Sequence, residues 1–176
     1  MPNGNPPHKR PEQTGIRTGD RLAMVKLAIE GIPRFFLQTY EAEKRTVSYS
    51  YETMEHLREA CPERTFYYII GADSLFQVET WKHPERFLRS CTMIAAKREH
   101  RETDDALESQ IRHLKERYKT VILFSRAPVF EVSSSKIREM VKRGADIHHL
   151  VPPSVASYIY NHHLYREDIE DEQRNS

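Results

Sequence analysis

At 176 residues, with 38% hydrophobic and 30% charged residues, the chain has the length and balance of one globular domain with a sizeable core. Its formal net charge of +1 gives no electrostatic case for nucleic acid or a membrane as partner, and no apolar run approaches a membrane span or a signal peptide. The two cysteines, Cys61 and Cys91, fit neither a disulfide framework nor a zinc spacing, so a reducing cytoplasm is the expected setting.

The first eleven residues, with Pro2, Pro6, Pro7 and Pro11 around the cluster His8, Lys9 and Arg10, read as a loop with no strand or helix before it. From Thr18 the pattern turns helical, with Leu22, Val25 and Ile29 on one face, Met24 and Ala28 beside them, and Gly31 as the stop. Phe35–Leu37 is a short strand candidate, and Lys44–Ser48 a polar loop. A second helix starts at Ser50, carries Met54, Leu57 and Cys61 on its apolar face, and is stopped by Pro62. Phe66–Ile70 is apolar throughout, as a parallel strand buried on both faces should be, and it runs into Gly71, Ala72, Asp73 and Ser74. Ser74 and Gln77 have capping-box spacing, which predicts a short helix starting there, and Pro84 opens another.

Thr92–Ala96 is a further buried strand, leading into the charged run that begins Lys97, Arg98. Thr103 caps a clear helix, with Asp104 and Asp105 in the first turn and Leu107, Ile111, Leu114 and Tyr118 inward. Thr120–Phe124 is the next strand. Ser133, Ser134 and Ser135 then open an amphipathic helix with Ile137 and Val141 on one face and Gly144 as the stop, and a last helix runs from Pro153 with Val155, Tyr158 and Ile159 inward. There is no internal repeat, and no linker divides the chain.

Strands alternating with helices predict an α/β fold, a parallel sheet with helices on both faces. In such sheets ligands bind beyond the carboxyl ends of the strands. Gly71–Ser74, Lys97–Arg98 and the serine-rich helix start occupy those places. Lys136 and Arg138 fall within the expected first turn of that helix, where the macrodipole disfavours cations, which suggests a phosphate between them; the plainer reading is a serine N-cap with two solvated basic residues. The chain holds 6 glycines, and none form a P-loop or a dinucleotide fingerprint. Plainer roles exist for each: Asp73 as a helix cap, Trp81 as core, His8 and Lys9 as solvated tail. The pairs His148, His149 and His162, His163 point different ways on a helix and have no acid or cysteine at ligand spacing, so no metal site is expected.

Pro2 and Asn3 with Pro6–Lys9, Ser48–Ser50, Ile70–Asp73, Trp81 and Val132–Arg138 resemble bacterial nicotinate-nucleotide adenylyltransferase, and Leu150–Pro153 through Tyr165 resembles that family's ending. The resemblance runs from Met1 to about Tyr165, in order. It implies a Rossmann-like nucleotidyltransferase domain spanning 1–176, with 166–176 a disordered tail. It also implies adenylyl transfer from ATP to nicotinate mononucleotide, assisted by Mg²⁺ and releasing pyrophosphate. By the same resemblance Arg138 and the backbone of Ser133, Ser134 and Ser135 hold the ATP phosphates, with His8 and Lys9 near them. Gly71, Asp73 and Arg98 lie around the adenosine, and Trp81 with Ser50 holds the nicotinate ring.

The family's first strand and helix carry a Gly-x-Phe-Asp-Pro…His-x-Gly-His signature, and nothing in this sequence corresponds to it. Met1 therefore resembles an internal methionine of the family, and the chain is expected to be truncated by that βα unit. Lacking a central strand, such a chain should expose apolar sheet edge and form a homo-oligomer or be poorly soluble. Smaller departures are Ser50 for threonine, Glu52 for aspartate and no Pro-Gly after Arg98. Two alternatives follow: the same chemistry on another acceptor such as phosphopantetheine, or a non-catalytic nucleotide-binding remnant.

Overall fold

The computed structural model describes residues 1–4, 16–44, 46–96, 103–125 and 132–166. In chain order its elements begin α1 (Thr18–Ile29), α2 (Tyr40–Glu43), α3 (Ser50–Ala60), β1 (Tyr67–Gly71), α4 (Ala72–Gln77), a 3-10 turn (Val78–Thr80) and α5 (Pro84–Ser90). They continue with β2 (Thr92–Ala96), α6 (Asp104–Tyr118), β3 (Ile122–Ser125), α7 (Ser134–Lys142) and α8 (Pro153–Asn161). These gather into two compact units, one of residues 1–47 with 132–176 and one of residues 48–131.

The unit of residues 48–131 is built on a parallel sheet in the order β1-β2-β3, with Ile70 opposite Ala95 and Ala95 opposite Phe124. Side chains alternate across a strand, so Ile70, Met93, Ala95 and Ile122 share one face and are buried there with Leu75, Val78, Phe87, Leu88, Leu107 and Leu114. α6 joins this core because Leu107, Ile111 and Leu114 recur at helical spacing. It starts where expected, with the Thr103 hydroxyl accepting from the Ala106 N–H at 3.2 Å. The opposite sheet face differs from the expectation of a strand buried on both sides. Tyr67, Ile69 and Leu123 lie exposed on it, Ile69 by 74%. β1 also begins one residue later than the apolar run suggested, and β3 two residues later.

The Ser74–Gln77 capping box does not form. α4 begins at Ala72, with the extended residue Gly71 as its N-cap and no side-chain cap bond. The strand feeds straight into the helix, so Ser74 falls inside the first turn rather than ahead of it.

In the other unit Val141, Ile147, Val155, Ala156 and Ile159 form the core, and α1 packs on it through Met24, Leu27 and Ala28. The inward face of α1 is thus rotated from the Leu22–Val25–Ile29 stripe, and none of its residues is fully buried. Pro153 sits in the first turn of α8, where a missing N–H costs nothing. The Tyr158 hydroxyl donates to Asp20 at 3.0 Å and ties α8 to α1. Phe35–Leu37 is not a strand: Phe36 is 87% exposed, and no strand of its own unit pairs with it among the described residues. The short helix α2, which the sequence did not announce, follows, with the Thr39 hydroxyl donating to Glu43 at 2.6 Å.

Candidate functional site

The serine-rich segment folds as its composition dictates. Ser133 is extended (φ −127°, ψ 149°), and its hydroxyl accepts from the Lys136 N–H at 3.2 Å. Its carbonyl accepts from the Ile137 N–H at 3.0 Å, closing the first turn of α7. The N–H groups of Ser134 and Ser135 lie ahead of any intrahelical acceptor, at the positive end of the helix. That turn carries no acid. Arg138 reaches back along the helix and donates from Nη2 to the Ser135 hydroxyl at 3.1 Å. Tyr165 feels the same guanidinium: burial pushes its phenol up, while Arg138 and Arg21 pull it down and Asp20 adds a smaller push upward, the net being upward. A small anion would find in this arrangement backbone donors, three hydroxyls and a fixed cation.

In the unit of residues 48–131, β1 ends in buried Gly71, and Asp73 stands exposed in the first turn of α4. Among the described residues no cap bond involves Asp73, which stands exposed just beyond the carboxyl end of the strand. Trp81 lies at the edge of the core. It packs on Phe87 with ring centroids 5.2 Å apart and stays half-buried, leaving part of the indole to the surface.

Ser50 and Trp81 belong to neighbouring segments. Tyr51, one residue after Ser50, meets His83, two residues after Trp81, edge to face at 5.0 Å. Arg86 of α5 lies over the Tyr51 ring at 4.5 Å and forks onto Glu55 of α3, its Nε donating at 2.8 Å. Glu55 holds the Arg86 guanidinium above its ordinary range. Burial and the bond from its hydroxyl to Glu52 push the Tyr51 phenol up. His83 takes a left-handed backbone (φ 49°) to turn the chain into α5. Ser48, just before α3, is 6% exposed, and its hydroxyl has no partner among the described residues.

Ser50, Trp81, Gly71 and Asp73 thus belong to one unit, while Ser133–Ser135 and Arg138 belong to the other. His8, Lys9 and Arg98 lie outside the described residues. Tyr51, His83, Arg86 and Glu55 went unread in the sequence, where the only cue was the dipeptide His83–Pro84 at a helix start. Among the described residues no group of three His, Cys, Asp or Glu side chains is placed to hold a metal ion, and none of the helices is long and apolar enough to cross a membrane. His148 pairs with Asp146, and His162 stacks on Tyr158 at 4.1 Å.

The family model described as cytidylyltransferase-like matches residues 1–140. A relative in Clostridium kluyveri is 34% identical over 168 residues, covering 94% of this chain and 82% of that one. One in Clostridium tetani is 37% identical over 166 residues, with the same coverage. Both carry the name "Probable nicotinate-nucleotide adenylyltransferase". Among solved structures, Plasmodium falciparum nicotinic acid mononucleotide adenylyltransferase complexed with APC superposes with a TM-score of 0.63 at 20% identity, covering 84% of this chain and 75% of that one. The same enzyme complexed with NaAD gives the same TM-score. At that identity the likeness establishes the fold.

Proposed function

Because this chain belongs to the nicotinate-nucleotide adenylyltransferases of the cytidylyltransferase-like family, we propose that it transfers the adenylyl group of ATP to nicotinate mononucleotide, making nicotinate adenine dinucleotide and pyrophosphate in NAD biosynthesis. The observation that carries this is the 34% identity over 94% of the chain to a relative bearing that name. A phosphate oxygen of the mononucleotide attacks the α-phosphorus of ATP, and the bond to the bridging oxygen of pyrophosphate breaks. No covalent enzyme intermediate is needed, so the protein's contribution is alignment and charge stabilisation.

The start of α7 suits the triphosphate. The backbone of Ser133–Ser135 and the Arg138 guanidinium supply donors where negative charge builds on the leaving group. Asp73 and Gly71 at the end of β1 serve the adenosine, and Trp81 with Ser50 serves the flat nicotinate ring, for which a half-exposed indole backed by Phe87 is a stacking surface. His8 and Lys9 near the phosphates and Arg98 at the adenosine complete the same proposal. Mg²⁺ belongs to it as the counter-ion of the triphosphate; bound through substrate phosphates and water, it requires no carboxylate cage from the protein. The two units form one nucleotidyltransferase domain in this reading, working in the cytoplasm on small molecules. The homo-oligomer expected from the sequence is carried with it, light scattering being its check.

The names of the relatives do not favour another acceptor or a non-catalytic remnant. The test is pyrophosphate release by the 176-residue chain with ATP, Mg²⁺ and nicotinate mononucleotide, the product being identified by mass. Turnover with nicotinate mononucleotide above that with phosphopantetheine is expected. A folded chain that releases no pyrophosphate overturns the proposal.

A further inference from the structure

Glu79 lies in the 3-10 turn that ends at Trp81, and three donors from α6 converge on it. Tyr118 donates its hydroxyl to Oε1 at 3.0 Å, His113 Nε2 lies 3.0 Å from Oε2, and Arg117 Nη1 lies 3.2 Å from Oε1. The partners are 34 and 39 residues away for His113 and Tyr118, so these bonds are tertiary rather than local. The Glu79 side chain is 27% exposed. Within the turn the bonds are local: the Trp81 N–H donates to the Val78 carbonyl at 3.2 Å, and the Thr80 hydroxyl to the Gln77 carbonyl at 2.7 Å. Val78 is fully buried beneath it.

We propose that Glu79 is a positioning residue for the nicotinate-mononucleotide site, clamping the Val78–Thr80 turn onto α6 through His113, Arg117 and Tyr118 and so fixing the direction of the Trp81 indole. The proposal rests on the reading of Trp81 as the ring-stacking surface. Isolated surface ion pairs add little to stability, but three donors on one carboxylate fix an orientation. Buried Val78 and the neighbouring α4 and α5 hold one side of the turn, Glu79 ties it to α6, and Trp81 follows two residues after Glu79.

Trp81 is the only tryptophan, so intrinsic emission reports on it alone. The full chain carrying Glu79→Ala, Glu79→Gln or Tyr118→Phe is compared with wild type by emission maximum, acrylamide quenching, melting temperature, and calorimetric Kd for nicotinate mononucleotide and for ATP. Glu79→Ala is expected to weaken nicotinate mononucleotide about tenfold with ATP within about twofold. It should also red-shift Trp81 and make it easier to quench, and Glu79→Gln, which still accepts from Tyr118, should restore part of both effects. Equal weakening of both ligands in step with a lowered melting temperature would mean a structural role only and overturns the proposal. If Glu79→Ala does not fold, Tyr118→Phe carries the same comparison with a smaller effect. Trp81→Ala separates the two layers. If it weakens nicotinate mononucleotide and Glu79→Ala does not, the clamp is refuted and the indole assignment stands; if it changes nothing, the indole assignment itself falls.

Discussion

Replacing Arg138 with glutamine should cost activity without costing stability. In the fold its visible bond is the one from Nη2 to the Ser135 hydroxyl, on the exposed side of α7, and losing such a surface bond changes stability by no more than about 0.5 kcal/mol. A cation near the start of a helix also opposes the macrodipole. Removing it from the second turn returns a few tenths of a kcal/mol, less than the ~0.3–1 kcal/mol available in the first turn. The two contributions have opposite sign, so the net falls within about 0.5 kcal/mol of zero. Toward a triphosphate the same guanidinium makes a charge-assisted bond worth about 1.5–3 kcal/mol, which is about 10- to 150-fold in kcat/KM for ATP. Arg138→Lys keeps the charge but not the planar fork and should lie between. Steady-state pyrophosphate release at saturating nicotinate mononucleotide, paired with urea unfolding followed by circular dichroism, reads both quantities. An activity within twofold of wild type, or a stability loss above about 1 kcal/mol, would refute the reasoning and return Arg138 to an ordinary structural role.

Phe87→Leu removes the ring contacts to Tyr68 at 5.0 Å and to Trp81 at 5.2 Å; at about 0.5–1.5 kcal/mol each, a loss of ~1–3 kcal/mol is expected in urea unfolding, with a shift in tryptophan emission. Ser133→Ala deletes the α7 cap and should cost about 1 kcal/mol by the same assay. Burial pushes the Glu79 carboxyl up, but the bonds from Tyr118 and His113 and the charges of His113 and Arg117 hold it below its usual value. With the folded value depressed, its stabilising contribution is complete above the unfolded pKa of about 4.3 and disappears as pH falls through the lower folded one. The gap in melting temperature between wild type and Glu79→Gln should therefore close on going from pH 5 to pH 3. Burial pushes the Cys91 thiol up to about 11, against smaller downward pulls from its bond to Ser90 and from Arg58. Iodoacetamide should label it slowly at pH 8, with a rate rising about tenfold per pH unit up to that value, and rapid labelling at pH 8 would contradict this.

Segments whose local chemistry is self-sufficient were legible in the sequence. The Thr103 cap with Leu107, Ile111 and Leu114 behind it, the apolar run of β2, and the Ser133 cap ahead of Ile137 and Val141 each specify an element with no reference to distant residues. Where a partner decides the outcome, the pattern misled. Phe35–Leu37 has the composition of a strand, but a strand exists only when another backbone pairs with it. Ser74 and Gln77 have the right spacing for a capping box, yet the chain leaving β1 was already helical at Ala72. The candidate residues divide along the same line. Ser133–Ser135 and Arg138 lie in one short stretch and stand out in the sequence, whereas the group around Tyr51 draws on α3 and α5, with Glu55 and Arg86 31 residues apart. Glu79 is an unremarkable surface acid until α6 is folded over it.

The unit that contains α1, α7 and α8 is made from the two ends of the chain, and the hydrogen bond between Asp20 and Tyr158 joins residues 138 apart. During synthesis this imposes an order. The contiguous stretch 48–131 can assemble its sheet and core as it emerges, while the core that α1 packs on is complete only when α8 has been made. At roughly 5–20 residues per second, that wait is about 7–28 s. Through it Met24, Leu27 and Ala28 lack their full cover, on a helix that buries no residue fully even when finished. α1 is thus made well before the core it joins, and the wait exposes it to proteases and to other nascent chains.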